Sequence, residues 1–362
     1  MDRLYINLGD GEFVNANITL PSTNGATVRA ADYNQDGFMD LFVGSRSIPG
    51  AYGLSPDSYI LKNVAGKQLQ PALMFPLGMV TDAQWVDFDQ DALLDLVVVG
   101  DWMPITLIKN MGDNNFENVT ATFQLQNTKG LWNSVAFHDF NGDGRLDILG
   151  GNAGLNMKWK ASTATPIRMY LNDFDENEQL DPVIFYTYGG EEIPFASKDK
   201  LAAQMPMIRK RFVKYKEFSK VRDINTLLGV QEEEVLAYKE ITELRSMIYI
   251  ATEEGYKGYA LPAEAQRSTI EDIHIDPSSG KVYYVGNSTA NVVELGPQMA
   301  NSGGVLSSFD TATFQHQKHS SLGLPFSTIA KEIHSANSKE FFVGTQNSYL
   351  LVLNSNNSVK ED

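Results

Sequence analysis

The sequence predicts an all-β chain assembled from repeated short strands, and two observations predict it. An acidic pattern, D-x-[DN]-x-[DN]-x-x-x-D, occurs four times, each copy leading into apolar residues. A second pattern, an apolar run, a Gly/Asp/Asn turn and another run, recurs around those copies and reads as a β-hairpin. A length of 362 residues suits either two ordinary domains or one large closed β architecture, so the repeats decide.

The acidic copies are Asp32 to Asp40, Asp87 to Asp95, Asp139 to Asp147 and Asp173 to Asp181 (loops 1 to 4 below). Their first residues are spaced 55, 52 and 34 apart. The hairpin pattern is clearest in Leu4-Tyr5-Ile6-Asn7-Leu8-Gly9-Asp10-Gly11-Glu12-Phe13. Its match is Leu107-Ile108-Lys109-Asn110-Met111-Gly112-Asp113-Asn114-Asn115-Phe116, and Ile60-Leu61-Lys62-Asn63 is a weaker copy. Strand-like residues flank each acidic loop, so each unit supplies about four short strands, the sequence signature of a propeller. Residues 273–286 and 330–344 read as units without the acidic loop. With them the expected ring is a six- or seven-bladed β-propeller spanning residues 1–362 as one domain. Its last unit ends near Leu353, and the N-terminal strands are expected to complete that unit and remove an exposed sheet edge.

The spacing within each loop suits a hard cation. The first, third and fifth side chains turn inward from a tight turn, the seventh residue offers a backbone carbonyl, and the ninth closes the shell. The expected ligands are Asp32, Asn34, Asp36, Phe38 and Asp40; Asp87, Asp89, Asp91, Leu93 and Asp95; Asp139, Asn141, Asp143, Arg145 and Asp147; and Asp173, Asp175, Asn177, Gln179 and Asp181. Six to eight oxygens favour Ca²⁺ over the stricter octahedron of Mg²⁺. Three to four structural Ca²⁺ ions are expected. Gly37 and Gly144 fill the sixth position, where the turn needs an unusual φ. Loops 2 and 4 carry Ala92 and Glu178 there and are expected to bend differently or bind more weakly. No glutamate follows at an EF-hand's twelfth position, and Leu41-Phe42-Val43 and Leu96-Val97-Val98 make the flanks strands. The bland alternative is a set of Asx turns without metal.

A net charge of −16 argues against nucleic acid as a partner. The absence of cysteine excludes disulfides, thiolate zinc sites and cysteine nucleophiles. No apolar run is long enough to span a membrane as a helix. Met1-Asp2-Arg3-Leu4-Tyr5 shows no signal peptide, and the chain is expected to come from a longer protein.

Residues 197–244 break the β pattern and read as a helical insertion within the fourth recognisable unit. Ser197 is expected to cap a helix through Gln204, Pro206 to end it or open the next, and Glu232 to Leu244 to form another helix. Arg209, Lys210, Arg211 and Lys214 make this stretch basic. They are candidate contacts for a protein partner or polysaccharide, against a bland reading in which Phe212, Tyr215 and Phe218 bury the helix on its own scaffold. Trp102 and Trp159 lie in loop-like sequence and are candidates for an exposed carbohydrate platform. Trp85 reads as core. No GxSxG, Walker or GxGxxG motif is present, so no catalytic residue is assigned.

Together, the loops and the Leu-Tyr-Ile-Asn-x-Gly-Asp-Gly-x-Phe element resemble FG-GAP/VCBS repeats, the blades of integrin-α-type propellers. A narrower likeness extends through Asn172-Asp173-Phe174-Asp175, Glu192-Ile193-Pro194-Phe195, Gln204-Met205-Pro206 and Ala260-Leu261-Pro262-Ala263-Glu264-Ala265-Gln266. These look like the C-terminal propeller of large Bacteroidetes surface proteins of the ASPIC/UnbV-associated group. The resemblance implies an exported location on the extracellular face of the outer membrane and a lipoprotein context. The expected function is a non-catalytic, calcium-stabilised binding or scaffold module. The alternative is a propeller enzyme acting on polysaccharide, a lyase or glycosidase, with acids converging in a central pocket.

Overall fold

The computed structural model describes residues 3–354 apart from 17–23, 67, 291, 308–317, 338–339 and 347–349. It is mostly β, with several four-stranded antiparallel sheets and a few short helices. A hairpin opens the chain, β1 (Tyr5–Gly9) and β2 (Glu12–Asn15). The first sheet is β3 (Gly25–Ala31), β4 (Asp40–Ser45), β5 (Ser58–Val64) and β6 (Gln68–Phe75). The second is β7 (Met79–Val86), β8 (Asp95–Met103), β9 (Thr106–Asn110) and β10 (Phe116–Asn118), with the short β11 (Gly130–Leu131) beside β8.

The third sheet begins with β12 (Ser134–His138) and β13 (Asp147–Gly151). The chain then leaves it to build an inserted sheet, β14 (Ile167–Asn172), β15 (Asp181–Tyr188), β16 (Glu191–Pro194) and, after the helices, β17 (Ala237–Ile241) on the other side of β14. It returns as β18 (Met247–Thr252) and β19 (Gly255–Ala260), with β18 paired to β13. The fourth sheet is β20 (Ile270–Ile275), β21 (Val282–Gly286), β22 (Gly303–Ser307) and β23 (Lys318–Ser321). The fifth is β24 (Ala330–Asn337), β25 (Glu340–Thr345) and β26 (Leu350–Asn354).

Residues of the first strands of all five sheets, β3, β7, β12, β20 and β24, line one cavity of 620 Å³, a propeller-like arrangement. Alternation puts one row of each strand against each neighbouring sheet. Tyr33, Phe42 and Ile60 of the first sheet meet Val80, Leu96 and Val98 of the second. Val97 and Leu107 meet Val135, Ile148 and Tyr249 of the third. Leu149 and Ile248 meet Ile270, Val282 and Tyr284 of the fourth. Tyr283 and Val285 meet Ile333, Phe341 and Val343 of the fifth. Carboxylates on the cavity wall tie the inner strands together. Asp82 accepts the Val135 N–H (3.0 Å) and pairs with Arg29, and Asp272 accepts the Ile333 N–H (2.9 Å).

Three sequence expectations change here. The unit carrying loop 4 is not on the cavity. It is a separate sheet that enters the chain between β13 and β18, which pair with each other in the third sheet, and its helices fall between β16 and β17. Five sheets, not six or seven, reach the cavity among the described residues. The N-terminal hairpin does not complete the fifth sheet either: among the described residues β1 pairs only with β2.

The helices are short. Ser197 caps α1 (Lys198–Gln204) as expected, its side chain accepting the Lys200 N–H, and Pro206 opens α2 (Met207–Arg211). Two further turns follow, α3 (Tyr215–Phe218) and α4 (Ile224–Leu228). Phe212 is buried and Phe218 half-buried against the inserted sheet, while Tyr215 is exposed. The helix expected over Glu232 to Leu244 is instead a 3-10 turn at Glu232–Glu234 and strand β17. Its residues Ala237 to Ile241 complete the edge of β14, with Tyr238 against the Tyr170 ring. Sheet pairing overrides helix propensity there.

Candidate metal centre

Each acidic loop joins the first strand of a sheet to the second, or β14 to β15 in the inserted sheet. The first aspartate folds the turn. Asp32 accepts N–H bonds from Asp36 (3.0 Å) and Gly37 (2.8 Å); Asp173 does the same from Asn177 (2.9 Å) and Glu178 (2.8 Å). Asp87 and Asp139 repeat this arrangement. The fifth side chain accepts the N–H of the seventh residue in all four loops, at 2.8–3.1 Å. These are Asx-turn bonds, so the loops are turns whatever else they hold.

The fourth and sixth positions both take positive φ. At the sixth the values are 87° for Gly37, 70° for Ala92, 85° for Gly144 and 66° for Glu178. Ala92 and Glu178 therefore do not bend their loops differently. They hold the same turn with a side chain that pays steric strain for it. The left-handed fourth position, at Gln35, Gln90 and Glu176, was not read from the sequence.

The ninth aspartate is buried at the start of the second strand. Asp95 accepts N–H bonds from Phe88 (3.3 Å) and from Asn110 of β9 (2.8 Å). Asp147 accepts them from Phe140 and Ala251, and Asp40 accepts the Asn63 N–H. In loop 4 the side chain of Gln204 on α1 takes the place of a third-strand amide on Asp181 (2.9 Å). Asn63 and Asn110 end the matching segments Ile60-Leu61-Lys62-Asn63 and Leu107-Ile108-Lys109-Asn110, and their role is to clamp the acidic loop from the third strand.

Two carboxylate triads converge. Asp87, Asp89 and Asp95 bring oxygens within 4.8 Å of one another, and so do Asp173, Asp175 and Asp181. Asp40 Oδ2, Asp89 Oδ1 and Asp175 Oδ1 are buried without a hydrogen-bond partner. An all-oxygen set with orphaned, inward carboxylate atoms fits a hard divalent cation. Burial pushes Asp95 up to about 7, against the Asn110 N–H bond and with the charges of Asp89 and Asp91 adding to it. Burial likewise raises Asp147 to about 6, and raises Asp40 and Asp181. Such carboxylates need a proton or a cation.

Sequence reasoning missed the lysines. Lys109, on β9, sets its ammonium on Asp89 and on Asp91 (3.0 Å), and Lys62 reaches Asp36 at 3.2 Å. The Leu93 N–H and then Lys109 hold Asp91 below the usual carboxylate range. Loops 1, 2 and 3 form a row. Gln35 donates to the Ala92 carbonyl (2.8 Å), and Gln90 donates to the Gly144 carbonyl (2.5 Å).

The other candidates separate. Trp102 and Trp159 are buried, not a surface platform. Their rings meet edge to face, centroids 6.1 Å apart, in the cluster that joins the second sheet to the inserted one. Trp102 donates to the Tyr52 hydroxyl at 2.9 Å. Apolar packing, which loop-like sequence does not advertise, decides their position. Trp85 is half-buried and stacks on Tyr33. Arg209, Lys210, Arg211 and Lys214 are exposed on or beside α2.

Repeated acidic turns on a propeller-like β scaffold define the class of this chain. Residues 1–43 and 87–150, the span of loops 1 to 3, match the model of the FG-GAP-like repeat. Among solved structures the chain is similar to the WD40 domain of Neurospora crassa Pan2, at 12% identity and a TM-score of 0.36, over 92% of this chain and 76% of that one. No curated protein matches the chain in sequence. Among the described residues no helix is long and apolar enough to cross a membrane.

Proposed function

We propose that this chain is a calcium-stabilised, non-catalytic propeller module that serves as a binding or scaffold part of a bacterial cell-surface protein. The observation that carries the calcium reading is the convergence of Asp87, Asp89 and Asp95, repeated in Asp173, Asp175 and Asp181. A cation there would be held by these carboxylates and, in the same turns, by the fifth side chains and the carbonyls of Phe38, Leu93, Arg145 and Gln179. Its part is to neutralise clustered charge and lock each turn to its sheet.

The wall acids support the non-catalytic reading. Asp82 and Asp272, which a glycosidase or lyase would need free, each accept one N–H bond from the next residue on their own strand and one from the adjacent inner strand, at Val135 and Ile333. The surface location rests on the family resemblance. The basic stretch around α2 is the contact we assign to an acidic protein segment or polysaccharide, since it stands out on a chain of net charge −16. The test is elemental analysis with thermal unfolding in calcium and in chelator. Three to four Ca²⁺ per chain and a chelator-sensitive Tm are expected. Metal-free protein with an unchanged Tm would reduce the loops to turns. Binding of an acidic polysaccharide or partner that survives charge reversal of Arg209, Lys210 and Arg211 would move the contact elsewhere.

A further inference from the structure

Four of the five strands on the cavity bulge near their starts. The pairing of β3 with β4 skips Ala26, and that of β7 with β8 skips Thr81. The pairing of β20 with β21 skips Glu271, and that of β24 with β25 skips Lys331. A bulged residue leaves the ladder, and its side chain is re-aimed. All four line the 620 Å³ cavity. In β3 and β7 this is the end remote from the acidic loops. Glycines on the second strands admit the bulged backbone. A Cβ at Gly100 would lie 2.0 Å from the Met79 carbonyl oxygen, and one at Gly286 2.1 Å from that of Thr269.

The charges on this wall are paired. Glu271 and Lys331 meet at 2.9 Å. Arg46, just after β4, donates through Nε to the buried Asp101 at 2.8 Å, and Arg29 pairs with the buried Asp82. Each of these three cations has its own carboxylate, so none is left to capture an anion. Both oxygens of Asp272 accept backbone N–H groups, and Glu332 lies 3.6 Å from His334. What remains is hydrogen-bonding capacity of both signs. Among the described residues the two terminal nitrogens of Arg46 have no hydrogen-bond partner, and its side chain is 51% exposed. Lys331 keeps N–H donors beyond its one ion pair. Thr27 Oγ1 and Ser134 Oγ are buried with no hydrogen-bond partner, and both residues line the cavity. A buried hydroxyl left unpaired is costly, so two on one wall point to a missing partner.

We propose that this end of the cavity binds a neutral sugar, whose hydroxyls each donate and accept a hydrogen bond. Arg46 and Lys331 supply donors, Glu271 an acceptor, and Thr27 and Ser134 hydroxyls that do either. The volume lies within the roughly 300–1,000 Å³ of small-ligand pockets. No Trp, Tyr or Phe is among the described residues lining it, so recognition rests on hydrogen bonds rather than ring stacking. The site is separate from the acidic loops and from the basic stretch around α2, and it stands if either of those readings fails.

The test titrates the whole chain with glucose, galactose, mannose and neutral trisaccharides ending in each, by calorimetry and saturation-transfer NMR. Glucuronate and glycine serve as charged probes. At least one neutral sugar should bind with a Kd of about 1 mM or tighter, as fits a ligand of a dozen or so heavy atoms. Thr27→Val and Ser134→Ala delete hydroxyls that have no partner, so the fold should survive, and each should weaken that binding about 2- to 10-fold. Arg46→Met should weaken it further. Free sugars binding as tightly as the trisaccharides would identify a free monosaccharide as the ligand, and trisaccharides alone binding would identify a glycan end; both support the proposal. Binding should persist in chelator and in Arg209→Glu, and its loss in either folded sample would place the ligand at the loops or on α2 and overturn it. No binding of any neutral sugar, preference for glucuronate or glycine, or affinity unmoved by all three cavity variants would also overturn it.

Discussion

Asp175→Ala isolates metal binding from turn formation. Asp175 Oδ1 is buried with no partner, whereas Asp173 in the same loop accepts two backbone N–H bonds that make the turn. Losing Asp175 therefore leaves the turn intact and removes one carboxylate from the triad with Asp173 and Asp181. In chelator the substitution relieves like-charge repulsion, and stability should be unchanged or slightly higher. In calcium at a hundredfold excess over Kd, a lost site forfeits about 2.7 kcal/mol. An unfolding entropy of about 2.1 cal/mol/K per residue, over 362 residues, converts each kcal/mol to ~1.3 °C. The expected effect is a Tm about 3 to 4 °C lower in calcium, no loss in chelator, and one fewer ion per chain by elemental analysis. Asp173→Ala, by contrast, should lower Tm in both conditions, because it leaves two amides of the turn unpaired. Equal losses for Asp175→Ala with and without calcium, at unchanged metal content, would refute the reasoning.

Lys109→Met removes the ammonium that sits on Asp89 and Asp91. A partly exposed pair of this kind is worth up to about 1 kcal/mol, so calcium affinity at loop 2 should rise up to about fivefold in a calorimetric titration, while the metal-free protein loses stability; unchanged affinity would show that the lysine does not compete. Trp159→Ala should cost about 3–5 kcal/mol in calcium and chelator alike, because the ring is buried between the second and inserted sheets, and near-neutral behaviour in a melt would contradict that placement. The pH response should change sign with metal. Without it, burial raises Asp95 to about 7 and Asp147 to about 6, against about 3.9 in the unfolded chain, so the folded state binds more protons between those limits and stability rises as pH falls from 7.5 to 5.5. With calcium the carboxylates must stay ionised and Tm should fall over the same range; parallel slopes in the two melts would count against cation binding there.

The strands and the acidic turns were legible because both are local. Ser197 at the start of α1 and the Asx pattern of each loop act within a few residues, and spacing alone exposes them. Connectivity was not legible, because the pairing of Ile148 with Tyr249 spans a whole inserted sheet. The one trace of it was the short interval between loops 3 and 4, which marks loop 4 as a neighbour in sequence but not in the row. Ala237 to Ile241 read as helix because its residues favour helix as much as strand, and only the open edge of β14 decides between them. Trp102 and Trp159 failed for the same reason: loop-like sequence says nothing about which distant sheet will cover it.

That separation has a consequence for how the loops act. Loops 1, 2 and 3 share hydrogen bonds through Gln35 and Gln90, so ordering one turn fixes a carbonyl that the preceding loop contacts. Loop 4 sits on the inserted sheet, where Gln204 of α1 closes it in place of a third strand. The first three are therefore linked turn to turn, and a cation bound in one of them would order a carbonyl that the preceding loop contacts. Loop 4 reports instead on the helices, since α1 can hold Gln204 against Asp181 only while Leu201, Ala202 and Met205 stay packed on the inserted sheet. The basic residues beside α2 belong to that same packed unit. A cation in loop 4 would thus bear on the helices and the basic surface proposed for partners, while cations in loops 1 to 3 would bear on the five sheets around the cavity.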